Sequence, residues 1–159
     1  MRKSKAETAK TRERILEAAS AQFLSHGITE AGLAPLMRAA GLPHGGFYRH
    51  FASKDQLVAE ACSQAVLSLT SGLKSQIEGK PPDQALPLLV GKYLSRSHRD
   101  KPATGCVLAA LGSELARADG KTREAATEGF LGPSRLIAGQ LKNVPAKRPT
   151  CSRWGSPQP

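Results

Sequence analysis

Aromatic residues are scarce in this chain, at 4% of its 159 positions. That is thin for an all-β sandwich, whose strands are built from aromatic and β-branched positions. No apolar run approaches the ~20 residues needed to cross a bilayer. The N-terminus, MRKSKAETAKTRER, is charged and has no apolar stretch behind it, unlike a secretory signal. The three cysteines, Cys62, Cys106 and Cys151, are odd in number, far apart and in no metal-ligand spacing. A reduced cytoplasmic chain is expected, with no cofactor, no metal and no membrane partner. Gly-rich phosphate loops, internal repeats and strand-like alternation are also missing. An enzyme built on Cys106 with His98, or on Cys62 with His50, would need a local signature that neither pair has, so no catalytic residue is assigned.

The charge is lopsided. The chain carries a formal +10, which invites a polyanion partner. Residues 1–14 hold six basic and two acidic residues, and residues 141–159 hold Lys142, Lys147, Arg148 and Arg153 with no acid. Each end is therefore +4, and the body between them is nearly balanced. Charge alone suits either a nucleic-acid contact or two solvated termini.

What is abundant is the helix-forming set of Ala, Leu, Glu, Lys, Arg and Gln. Ile15, Leu16, Ala19 and Phe23 recur at helical spacing over 8–26, and Gly27 is a stop. Two short units follow, Leu33 to Ala40 and His44 to Phe51. Ser53 can cap a long helix with Val58, Cys62, Ala65, Leu69, Leu73 and Ile77 as its apolar stripe. Gly79-Lys80-Pro81-Pro82 breaks it. Asp83 can cap a helix that puts Leu86, Leu89, Val90, Tyr93 and Leu94 inside. A charged stretch over 97–102 leads to a helix marked by Val107, Leu108, Leu111 and Leu115. Another runs from Lys121 through Phe130, where Gly132-Pro133 is expected to break or kink it before a restart through Leu136, Ile137 and Leu141. The expected fold class is all-α, with seven main helices.

The informative stretch is Leu33 to Phe51. Two short helices meet at a turn containing Gly41, which tolerates positive φ. Leu36, Ala40, Leu42 and Phe47 fall where a helix-turn-helix buries its apolar contacts, leaving the second helix to enter a major groove. The words Ala40-Gly41-Leu42, Gly45-Gly46-Phe47-Tyr48-Arg49-His50-Phe51 and Ser53-Lys54-Asp55-Gln56-Leu57, with Thr11-Arg12 and Ile15-Leu16 upstream, sharpen this pattern. Over about residues 8–60 the chain resembles the TetR/AcrR family of transcriptional regulators.

The resemblance implies an N-terminal three-helix DNA-binding domain and a helical domain that binds a small-molecule effector and forms a homodimer. Domains are expected at 1–52 (arm and helix-turn-helix), 53–142 (regulatory) and 143–159 (a disordered, Pro-rich basic tail). The expected function is a sequence-specific, ligand-responsive repressor acting on a double-stranded operator. The residues implied in DNA binding are Thr11, Arg12, His44, Gly45, Gly46, Tyr48, Arg49, His50 and Lys54. Gly32, Pro35, Met37 and Pro43 depart from the family pattern. Cys106 opens a predicted helix after Arg99 and Lys101, a setting that lowers a thiol's pKa. It is a candidate sensor, with Tyr93 and Cys62 as further candidates for a ligand site, although a small core residue fits Cys106 as well. The tail has four prolines in 17 residues. The family's dimer helices are therefore expected to be missing through a shortened or altered C-terminus, and the alternative function is a relative defective in dimerisation and weak on DNA.

Overall fold

The computed structural model describes residues 4–141, so the expectations for the 143–159 tail lie outside the described residues. Within them the chain is all-α: α1 (Lys5–His26), α2 (Leu33–Ala39), a 3-10 segment (His44–Arg49), α3 (Lys54–Ile77), α4 (Pro82–Tyr93), a one-turn α5 (Arg96–Arg99), a 3-10 turn (Pro102–Thr104), α6 (Val107–Leu115) and α7 (Gly120–Leu141). No helix among the described residues is long and apolar enough to cross a membrane. None of their His, Cys, Asp and Glu side chains cluster in a group of three or more that could hold a metal ion.

Helix α1 starts earlier than apolar periodicity indicates. Ser4 is its N-cap: the Glu7 amide donates to Ser4 Oγ at 3.1 Å, and the Ser4 amide donates to the Glu7 carboxylate at 2.7 Å. This reciprocal box satisfies two donors that a helix start leaves free. Gly27, at φ 87°, ends the helix with its N–H on the Phe23 carbonyl at 2.8 Å.

Three further expectations need correction. Helix α4 starts at Pro82 with Pro81 as its N-cap, so Asp83 lies in the first turn and is not the cap. Among the described side chains of α4 only Ala85 and Leu89 are buried, whereas Val90 and Tyr93, and Leu94 at the C-cap, are exposed. Gly132-Pro133 does not break the last helix, and α7 runs unbroken through both. Proline removes one helical hydrogen bond, but α7 lies along α3 and tertiary packing carries it past the defect. A Cβ added at Gly129 would come within 3.1 Å of Val66, and one at Gly132 within 3.5 Å of Thr70. Small residues let the two helices approach closely.

One apolar core joins the first half of the chain to α6 and α7. Ile15, Phe23, Leu36, Met37, Phe47, Phe51 and Leu57 share it with Val107, Leu111, Leu115 and Ala126. Helix α3 adds Val58, Ala61, Cys62 and Val66 to this core. A smaller cluster of Leu73, Ile77, Ala85 and Leu89 lies farther along α3.

Candidate nucleic-acid interface

Helix α2 leads into a tight turn. The Gly41 N–H reaches the Arg38 carbonyl and the Leu42 N–H the Met37 carbonyl, both at 2.9 Å. Gly41 takes φ 68°, a conformation that side chains with a Cβ avoid. Pro43 is the N-cap of the next element, a 3-10 helix that ends at Arg49, short of the Phe51 that the pattern suggests. Two consecutive glycines weaken an α-helix, Pro43 offers no capping side chain, and 3-10 turns suit short pieces.

The segment is anchored by Phe47, which is fully buried. Its ring stacks on Phe51 at 5.8 Å between centroids and meets Tyr48 edge-on at 5.1 Å. Burying such a ring stabilises by roughly 1.5–3 kcal/mol. Tyr48 is 67% exposed, and His44, Gly45 and Arg49 are exposed beside it. His50 is half-buried at the C-cap. The departures fit together locally. Met37 is buried with its methyl 3.8 Å from where a Gly46 Cβ would be, so its bulk occupies space the glycine leaves. Pro35 lies in the first turn of α2, where its missing N–H has no intrahelical partner to lose. A Cβ at Gly45 would meet nothing within 4 Å.

The remaining candidates point inward. Thr11 is buried and its hydroxyl donates to the Glu7 carbonyl at 2.7 Å. Arg12 donates to Glu60 at 2.6 Å and lies 4.5 Å over the Phe51 ring. The Lys54 ammonium donates to the Ile28 carbonyl at 2.7 Å.

Sequence reading missed two partners. Arg14 donates to the Ala40 carbonyl, at the end of α2. Glu114 of α6 accepts from the Ile28 amide at 3.1 Å, the Thr29 amide at 2.9 Å and the Thr29 hydroxyl at 2.8 Å. Burial works to raise the pKa of the Glu114 carboxyl. The bonds from Thr29 and Ile28, with the nearby Lys54 charge, outweigh burial and hold the carboxyl below its ordinary range. No local signal could reveal a bond that spans 85 residues.

The matched relatives resolve what kind of domain this is. Residues 15–61 match the model described as bacterial regulatory proteins, tetR family. These residues are a TetR-family domain. The chain is 44% identical over 54 residues to the HTH-type transcriptional repressor BepR of Brucella suis, covering 34% of this chain and 26% of BepR. It is 27% identical over 136 residues to the HTH-type transcriptional repressor NemR of Escherichia coli, covering 84% of this chain and 68% of NemR. A TetR-family transcriptional regulator from Cytophaga hutchinsonii superposes with a TM-score of 0.75 at 21% identity, over 88% of this chain and 70% of that one. At that identity the likeness speaks for the fold. The chain spans about a quarter of the length of several curated relatives it matches.

Behind the TetR-family domain, a cavity of about 660 Å³ opens between α1, α3 and the 97–105 segment. Leu24, Leu69 and Leu73 form apolar wall, and Gln64, His98 and Lys101 supply polar groups. Cys106 is half-buried at the N-cap of α6, next to Gly105 in the cavity lining. A hydrogen bond to Cys106, together with burial, pushes the Tyr93 hydroxyl up to about 12. The Tyr93 ring lies 4.9 Å from His98. Cys62 is elsewhere, in the core, and burial pushes its thiol up to about 11, a setting for an inert structural thiol.

Proposed function

We propose that this chain is a sequence-specific DNA-binding transcriptional regulator, an effector-responsive repressor that works as a cytoplasmic homodimer. The observation that carries the reading is the exposed 44–49 segment, anchored by buried Phe47 and presenting Tyr48. Gly45 adds support, because nothing in the protein's own packing requires a glycine there; close approach of a DNA backbone does. We assign base and phosphate contact to His44, Gly45, Gly46, Tyr48, Arg49 and His50, with Lys54 at the edge once its bond to Ile28 is exchanged for a phosphate. Two copies must hold their recognition segments ~34–36 Å apart to read successive half-sites. Similarity to the repressors BepR and NemR favours repression over a defective relative.

The 660 Å³ cavity is within the usual range for small-ligand sites and is the proposed effector pocket. It touches α1 and α3 together, so an occupant would act directly on the helices behind the recognition segment. Cys106, at the N-cap of α6 next to the lining residue Gly105, is the proposed sensor thiol. Alkylation of the folded protein is expected to label Cys106 well before Cys62; slow labelling of both returns Cys106 to the core.

The test of function is binding to DNA flanking the chain's own gene over a salt series. Wild type is expected to be retained at moderate salt, Tyr48→Ala to lose that retention, and Lys54→Ala to weaken all duplexes with a salt slope smaller by about 0.9. No specific retention by wild type would overturn the reading.

A further inference from the structure

Arg12 and Arg14 lie two residues apart on α1, about 200° around the helix from one another. They reach opposite ends of the recognition segment. Arg14 donates to the carbonyl of Ala40, the residue after α2. A cation is well placed at a helix C-terminus, where carbonyls lack intrahelical partners. Its guanidinium also covers Gly41: a Cβ there would lie 2.7 Å from Nη2. Arg14 therefore braces the turn on the entry side.

Arg12 acts at the exit. Its guanidinium lies 4.5 Å over Phe51 and is paired with Glu60 of α3. Glu60 also accepts from Gln56 Nε2 at 3.0 Å, and Gln56 Oε1 accepts the Ala52 amide at 2.8 Å. The network thus grips the backbone just after the segment. The ring contacts form a column from Arg12 to Phe51, to Phe47 and on to Tyr48. The far end of that column is the exposed residue assigned to DNA.

We propose that Arg12, with Glu60, and Arg14 are positioning residues that hold the recognition segment from its two ends, and that Arg12 works through the aromatic column and not as a phosphate ligand. The proposal rests on the DNA-binding reading above and reassigns one residue that family resemblance implies in DNA contact. The planar guanidinium lies over Phe51 while its Nη2 pairs with Glu60, and lysine does not reproduce the stacking. The two roles for Arg12 also predict opposite effects of neutralising Glu60. A phosphate ligand freed from its acidic partner binds DNA more tightly. A positioning residue deprived of its partner binds its operator less tightly.

The experiment uses the whole chain, duplexes enriched by wild type from a randomised library, and the unselected library as the non-specific control. Affinities are measured over a salt series far below the melting temperature for Arg12→Ala, Arg12→Lys, Glu60→Gln and the Arg12→Ala/Glu60→Gln pair. Each single change is expected to weaken the enriched duplexes about three- to tenfold, the scale of a half-exposed ion pair plus a cation–π contact. Binding to the unselected library and the salt slope are expected to stay as in wild type, and the double variant to lose no more than the worse single. Arg14→Lys is expected to show the same loss of discrimination. A fall in melting temperature without lost discrimination would make the arginines merely structural and overturn the proposal. It is also overturned if Glu60→Gln tightens both sets of duplexes, if Arg12→Lys behaves as wild type, or if Arg12→Ala lowers the salt slope by about 0.9. A wild type that enriches no sequence overturns the DNA-binding reading itself, and this proposal with it.

Discussion

The first sixty residues and the last sixty described ones bury their apolar residues very differently. In the first region Ile15, Phe23, Leu36, Met37, Phe47 and Leu57 have no exposed surface at all. In the second, Leu88, Val90, Leu94, Phe130, Ile137 and Leu141 are exposed, Leu94 by 74%. The first region closes around Phe23, Phe47 and Phe51, with Val107, Leu111 and Leu115 of α6 in the same core. In the second, α4 and α7 pack on α3 and on each other and leave their outer faces uncovered among the described residues. The 44–49 segment is therefore anchored in a closed core, whereas α4 and α7 contribute chiefly through α3.

The largest effect should separate two phenylalanines. Phe47→Ala is expected to cost about 3–5 kcal/mol, and Phe130→Ala to stay within about 0.5 kcal/mol. Denaturant unfolding of both variants checks this, and equal losses would erase the distinction between the regions. Two glycines sharpen it within the first region. Gly41→Ala places a Cβ at positive φ and against Arg14, and is expected to cost about 1–3 kcal/mol. Gly45→Ala meets open space, so its melting curve should match wild type while its DNA affinity falls.

A smaller effect tests the joint between the regions. Glu114→Gln is expected to lose about 0.5–1 kcal/mol at neutral pH, once solvent screening of this half-buried group is allowed for. The folded-state pKa of Glu114 is lowered. Its contribution is therefore full above the unfolded-state value and is lost as pH falls through the lowered folded value. The gap between wild type and variant should close on acidification through that window. A gap that widens there would contradict the bonded carboxylate. The smallest effect is expected for Leu94→Ser, within about 0.5 kcal/mol in unfolding, with less self-association by light scattering as the exposed apolar surface shrinks.

The helix-turn-helix was legible because its signals are local. Leu36, Ala40, Gly41 and Phe47 announce burial and a turn by spacing and residue type alone, and all lie where expected. The Ser4–Glu7 box was equally legible in its spacing, yet apolar periodicity begins only at Ile15 and drew the helix start inward. The intramolecular partners of Arg12, Arg14 and Lys54 were not legible. A basic side chain on a helix reads the same in sequence whether it faces a phosphate or a carbonyl. The partners Glu60, Ala40 and Ile28 are 48, 26 and 26 residues away.

By itself the sequence determined the helical class, the turn at Gly41 and the aromatic anchor of the recognition segment. Each follows from backbone preference or from a repeat of apolar residues over a few turns. Tertiary structure decided that α7 runs through Pro133, because packing on α3 outweighs one missing hydrogen bond. It also decided that Glu114 clasps the Ile28–Thr29 turn and that two arginines of α1 reach the two ends of the 41–51 stretch. Those bonds need groups far apart in the chain to be desolvated side by side, and only the packed fold brings them together.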